Sequence, residues 1–84
     1  MSKEKGMEHF GQKLRALRMH HSLTLKELAH KLGYSAHGYI SEIESGKKVP
    51  TVEFALKVAD FFRVTTDQLL QDEIKLSLRH AHKN

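Results

Sequence analysis

Cysteine is absent from these 84 residues, proline occurs once and glycine five times. Without cysteine there is no disulfide framework, no thiolate zinc site and no thiol nucleophile. The same absence suits a reducing cytosol, and a cytoplasmic protein is expected. So few turn-forming residues argue against an all-β fold of many short strands. No apolar run approaches the ~20 residues that a membrane span requires. The N-terminal MSKEKGMEHF lacks the apolar segment of a secretory signal.

What remains is one soluble domain's worth of chain. Hydrophobic residues make up 39% and charged residues 29%, too apolar a balance for a disordered polymer. A domain of this length buries roughly 60–65% of the surface of its unfolded chain, enough for one small core. Net charge is +4, which by itself says little about partners. Its placement says more. Residues 1–48 carry nine Lys/Arg and five Asp/Glu, whereas residues 49–84 carry five of each, so the excess lies wholly in the first half.

Residues 1–7 read as a flexible arm, residues 8–71 as the folded domain and residues 72–84 as a tail. From Glu8 to about His21, Phe10, Leu14 and Leu17 recur at helical spacing, and Ser22 ends the segment. Thr24-x-x-Glu27 is a capping box that opens a second helix. Leu25, Leu28, Ala29 and Leu32 form its apolar stripe, and Gly33 stands where a left-handed C-cap is expected. After the turn Gly33-Tyr34-Ser35, a third helix is expected over about 36–45, with Ile40 and Ile43 inward and Gly46 as its stop. Thr51 caps a fourth helix, with Val52, Ala55, Leu56, Ala59 and Phe62 predicted inward. Phe54 also suits the core, while Phe61 is expected to point outward as a partner surface. A second box, Thr65-x-x-Gln68, starts a fifth helix through Leu70. The expected fold is therefore all-α, five short helices with tight connections. In the tail, Ile74, Leu76 and Leu78 alternate with polar residues as in a strand, while Leu70, Ile74 and Leu78 also fit a continued helix; the strand is favoured.

Two short helices joined by a tight turn, the second followed by a lysine pair, make a helix-turn-helix pattern. The segment LTLKELAHKLGYSAHGYISEIESGKKVPTVEFALKVADFFRVTTDQLL, preceded by GQKLRALRMHHS, resembles the lambda-repressor-like (XRE/Cro type) DNA-binding domains over residues 10–70. Leu28-Ala29, Leu32-Gly33, Ile40-Ser41, Ile43-Glu44, Gly46-Lys47, Pro50 and Val64 carry the resemblance. It implies a compact five-helix fold, double-stranded DNA as the partner, a repressor-like transcriptional regulator, and a homodimer reading two half-sites. It also implies a partly buried ion pair between Arg18 and Glu44 that sets the angle of the recognition helix.

A recognition helix presents short polar side chains to base edges while its other face packs inward. With Ile40 and Ile43 inward, His37, Gly38, Ser41 and Glu42 are the expected base contacts. Glu42 suits cytosine N4 as a hydrogen-bond acceptor, and its alternative role is a solvated residue paired with a lysine. Thr24 and Lys26 at the N-terminus of the second helix, with Tyr39, Lys47 and Lys48, are the expected phosphate contacts. Two departures from the family pattern stand out. Leu25 replaces the usual Gln near the start of the second helix, and the stretch from Ala29 to Ile40 is one residue longer than usual.

The seven histidines raise metal binding. His80-x-His82 and the adjacent His20-His21 offer two ligands each where a closed site takes four, so no metal or other cofactor is expected. His20 and His21 are instead expected to favour a helix C-terminus when protonated. No glycine-rich phosphate loop, nucleophile elbow or convergent carboxylate pair supports an enzyme or a small-molecule substrate. The alternative to DNA reading is a protein-interaction module, an antitoxin-like partner that keeps the fold with weak or no DNA binding. Leu25 and the acidic Glu42 favour that alternative.

Overall fold

The computed structural model describes residues 9–71. The arm 1–7, residue 8, the tail strand expected at 74–78 and His80-x-His82 lie outside the described residues. Five helices follow in order: α1 (Phe10–His20), α2 (Leu25–Leu32), α3 (Gly38–Ser45), α4 (Val52–Phe62) and α5 (Thr66–Leu70). No strand occurs among the described residues, and no helix there is long and apolar enough to cross a membrane. The fold class is all-α.

Short helices need their exposed ends satisfied, and this chain does it with threonine. Thr24 Oγ1 accepts the Glu27 N–H at 3.0 Å, while Glu27 Oε1 accepts the Thr24 N–H at 2.8 Å. The same reciprocal box joins Thr65 and Gln68, and Thr51 Oγ1 accepts the Phe54 N–H at 3.0 Å. Gly33 (φ 86°) and Gly46 (φ 84°) end α2 and α3 in the left-handed region, where a Cβ is disfavoured. Arg63 (φ 60°) ends α4 in that conformation at a cost of about 1–2 kcal/mol, and no glycine marks the stop in the sequence.

The core draws on every helix. Phe10, Leu14, Leu17, Leu28, Ile40, Ile43, Phe54, Val58 and Leu69 are all but inaccessible. Val52 and Leu56, predicted inward, are instead 77% and 54% exposed. The buried stripe of α4 runs through Phe54, Ala55, Val58, Ala59 and Phe62. At about 100° per residue, Val52 and Leu56 fall roughly a quarter-turn or more from its centre, and the larger Phe54 and Val58 take the core. Phe61 is 37% exposed and meets Phe62 edge-on. Lys13 Nζ donates to the carbonyls of Gln68 and Gln71, tying α1 to the end of α5.

Two features place α1. Gly11 faces the end of α3, where an added Cβ would lie 2.2 Å from the Ile43 carbonyl oxygen and 2.8 Å from that of Glu44. Only a hydrogen fits in that space. At the other end, the His21 ring packs 5.0 Å from the Phe62 ring and 5.5 Å from the His20 ring. Its Nε2 is buried without a hydrogen-bond partner. Burial, and secondarily the neighbouring His20, lower the His21 pKa. Burial therefore works against the protonated form on which the dipole role expected for His21 depends.

Gly11→Ala gains about 1 kcal/mol of helix propensity but meets a backbone oxygen, an overpacking cost of about 1–3 kcal/mol or more. A net loss of stability is expected, and urea denaturation checks it. His21 gives a second expectation. Above the ordinary histidine value of 6.5 it is neutral folded and unfolded, so it adds no pH dependence. Below 6.5 the unfolded chain takes the proton first, so stability falls until the lowered folded value is passed and then levels off. His21→Phe removes that component of the decline, as thermal melts in steps of pH would reveal.

Candidate nucleic-acid interface

Helices α2 and α3 and the turn between them form one edge of the molecule. Gly33 turns the chain out of α2, and the Tyr34 N–H closes that end on the Ala29 carbonyl at 2.8 Å. The turn then runs through His37, so α3 starts at Gly38 rather than near residue 36. His37 is thus the N-cap of α3, exposed and without a side-chain cap bond, instead of a residue within its first turn.

Opposite faces of α3 do different things. Ile40 and Ile43 are buried against the core, while Gly38, Ser41 and Glu42 are exposed on the outer side. The Glu42 carboxylate lies 3.6 Å from Lys48 Nζ, with both side chains about half exposed (49% and 53%). A pair that wet is worth under about 1 kcal/mol and exchanges partners readily. Glu44, two residues on, turns the other way and keeps only 8% side-chain exposure.

Glu44 meets Arg18 of α1. Arg18 Nε donates to Oε2 at 2.7 Å and Nη2 donates to Oε1 at 3.0 Å, a two-pronged pair. A third donor, Nη1, reaches the Leu23 carbonyl at 2.9 Å. One planar guanidinium therefore joins α1, α3 and the segment leading into α2. Its pKa is raised, because the hydrogen bond to Glu44 outweighs the cost of burial. Because Arg18 is 13% exposed and Glu44 8%, neither charge has water to fall back on.

Thr24 and Lys26 are exposed at the start of α2. The capping box occupies the Thr24 and Glu27 amides, which leaves the first-turn N–H groups of Leu25 and Lys26 directed out of the helix end. Leu25 itself is half-buried and packs on the core, filling space as an apolar residue. Lys47 and Lys48 are exposed in the loop after α3. Tyr39 is half-buried: its ring stacks on Tyr34 and lies edge-on to Phe54. Burial chiefly, then Tyr39 and Glu53, raise the Tyr34 phenol pKa. A groove of about 550 Å³ beside α2, lined by Lys26, His30, Ser35 and His37 among others, has Leu23, Ala29 and Tyr34 as apolar lining. Among the described residues no three of His, Cys, Asp and Glu gather into a metal site.

Gly11 and Tyr34 have no place in a motif-based reading of the site. The contacts that define them lie on α3 and α4, far along the chain, and only the rarity of glycine within a helical stripe hints at the first.

A helix with a buried rear face and an exposed polar strip, set behind a capped helix and a tight turn, is the architecture of a helix-turn-helix DNA-binding domain. A sequence model described as helix-turn-helix matches residues 14–69. The chain belongs to this family, in its lambda-repressor-like branch. It is 41% identical over 69 residues to an HTH-type transcriptional activator, BcrR, of Enterococcus faecalis, covering 82% of this chain and 33% of that protein. It is 43% identical over 65 residues to an HTH-type transcriptional repressor, RghR, of Bacillus subtilis, covering 76% and 47%. A third relative, an uncharacterised HTH-type transcriptional regulator of Methanocaldococcus jannaschii, is 42% identical over 57 residues, covering 68% and 85%. The match thus spans about a third and about half of the length of the two bacterial relatives. No solved structure matches at comparable significance.

Breaking the ion pair from one side leaves the other charge poorly solvated. Arg18→Met or Glu44→Gln is expected to lower stability by about 3 kcal/mol, near the low end for buried pairs. The double variant Arg18→Met/Glu44→Leu removes both charges and recovers much of that loss. Chemical denaturation of the single and double variants measures the coupling.

Proposed function

We propose that this chain is a repressor-like transcriptional regulator that reads a specific double-stranded DNA sequence, works as a homodimer in the cytoplasm and has no catalytic chemistry. The observation that carries this reading is α3 itself: Ile40, Ile43 and Glu44 anchor its back while Ser41 and Glu42 stand clear of the protein on its front. In the major groove, Glu42 accepts from cytosine N4 and Ser41 bonds to either donor or acceptor edges. His37 and Gly38, at the leading end of the helix, complete the reading strip.

Phosphates bind the N-terminus of α2 at Thr24 and Lys26, the loop lysines Lys47 and Lys48, and Tyr39. The Lys48–Glu42 pair suits this division. DNA backbone draws Lys48 off at little cost and leaves the Glu42 carboxylate for a base. One domain covers a half-site, and two related by a two-fold axis cover a pseudo-palindrome with centres roughly 34 Å apart or a multiple of that. The dimer contact is assigned to α5 with the exposed Phe61, or to the tail beyond residue 71. The repressor and activator names of the relatives support regulation of transcription in general.

Selection of bound duplexes from a random library, followed by affinity against salt, tests this function. One preferred site is expected, with log Kd changing by about 0.9 per neutralised phosphate for each decade of salt. Lys47→Gln removes about one unit of slope and weakens all duplexes alike. Glu42→Gln relaxes preference at one base pair by about 1–3 kcal/mol. No selectivity over random duplex, or no salt dependence, overturns the proposal in favour of a protein-interaction module.

A further inference from the structure

The start of α3 lacks the device that opens α2, α4 and α5. Those helices begin on a threonine whose hydroxyl accepts an N–H three residues on. His37 makes no such bond, and the first residue of α3 is glycine. A Cβ at Gly38 would touch nothing within 4 Å, so packing does not fix that residue either. An uncapped end with glycine in its first turn frays when local interactions alone hold it. Yet this turn is where base reading begins, and it follows a connection one residue longer than the family pattern.

Aromatic rings stand where the cap is missing. Tyr34 is fixed at the end of α2 by its backbone bond to Ala29. Tyr39 is the second residue of α3. Their rings stack across the turn, centroids 5.5 Å apart and 14° from parallel, a favourable offset arrangement. Both rings meet the fully buried Phe54 of α4 edge-on, at 5.6 Å for Tyr34 and 5.1 Å for Tyr39. Lys57 Nζ lies over the Tyr34 ring at 5.0 Å, and Lys48 Nζ over the Tyr39 ring at 5.9 Å. Lys48 is also the cation beside Glu42, so the stack connects directly to the reading face.

We propose that the Tyr34–Tyr39 stack, seated on Phe54 and covered by Lys57 and Lys48, replaces the missing cap and sets the register of the first turn of the recognition helix. Tyr34 is then a positioning residue for DNA reading that acts through Tyr39. The proposal rests on the DNA-reading function for its consequence, but its structural core stands apart from it. The offset stack supplies the geometric restraint, and the cations over the rings resist its opening.

The test compares Tyr34→Leu, Tyr34→Phe and Lys57→Gln with the unaltered chain. Amide hydrogen exchange is followed at Ser41, whose N–H bonds to the His37 carbonyl, and at Lys47, whose N–H bonds to the Glu42 carbonyl at the far end of α3. Tyr34→Leu is expected to speed exchange at Ser41 relative to Lys47 by about tenfold, while Tyr34→Phe keeps the stack and the ratio. In the same variants, preference for the selected duplex over random duplex falls about tenfold with Leu and is restored with Phe, at unchanged salt slope. A purely structural loss would weaken both duplexes together and speed both amides together, which overturns the proposal, as does an unchanged ratio.

Should Tyr34→Leu fail to fold, Lys57→Gln decides the matter. It removes one cation from the stack and is expected to raise the Ser41 to Lys47 ratio by about two- to fivefold. No change in that ratio refutes the clamp. If the unaltered chain selects no duplex, the DNA-reading function fails, and the exchange measurements still decide whether the stack holds the turn.

Discussion

Arg18 binds Glu44 through two hydrogen bonds and the Leu23 carbonyl through a third, so one side chain ties α3 to α1 and to the segment leading into α2. The apolar contacts of Ile40 and Ile43 press α3 inward but permit sliding and rotation, because hydrophobic attraction has little direction. A planar guanidinium facing a carboxylate does have direction. Gly11 makes the contact possible at short range by letting α1 approach the Ile43 and Glu44 carbonyls. Apolar burial drives the association, and the charged pair adds a directional contact to it.

The two carboxylates of α3 show how burial divides labour between like residues two positions apart. Glu44, 8% exposed, is committed to Arg18 and is nearly shut off from solvent. Glu42 is about half exposed and held by a single lysine at 3.6 Å, so water and salt compete for it. A binding surface needs groups of the second kind, whose partners in the free protein are surrendered at little cost. A scaffold needs the first kind. Leu25, at the start of α2, contributes to core packing and adds no polar group to the α2–α3 edge.

The helices differ in how their starts are held. Threonine caps and reciprocal boxes hold α2, α4 and α5, whereas α3 starts without a side-chain cap bond and depends on rings from two other elements. Through Phe54 the two rings connect the start of α3 to α4. The rear of the molecule is tied differently, with Lys13 on the carbonyls at the end of α5 and His21 against Phe62.

Sequence by itself determined what depends on near neighbours along the chain. The all-α class, the capping boxes at Thr24 and Thr65, the glycine stops at 33 and 46 and most of the buried stripe follow from spacings of three and four residues. It failed where two apolar faces competed on α4, because Val52 and Leu56 satisfy the same spacing as residues that pack better. The family likeness, rather than spacing, pointed to Arg18 and Glu44, which lie 26 positions apart. Tertiary structure alone decided the start of α3 at Gly38, the close approach at Gly11, the burial of His21 Nε2 and the ring stack of Tyr34 and Tyr39. Each of these depends on atoms from distant segments meeting at a few ångströms. A one-dimensional pattern carries periodicity but not the distance between two faces.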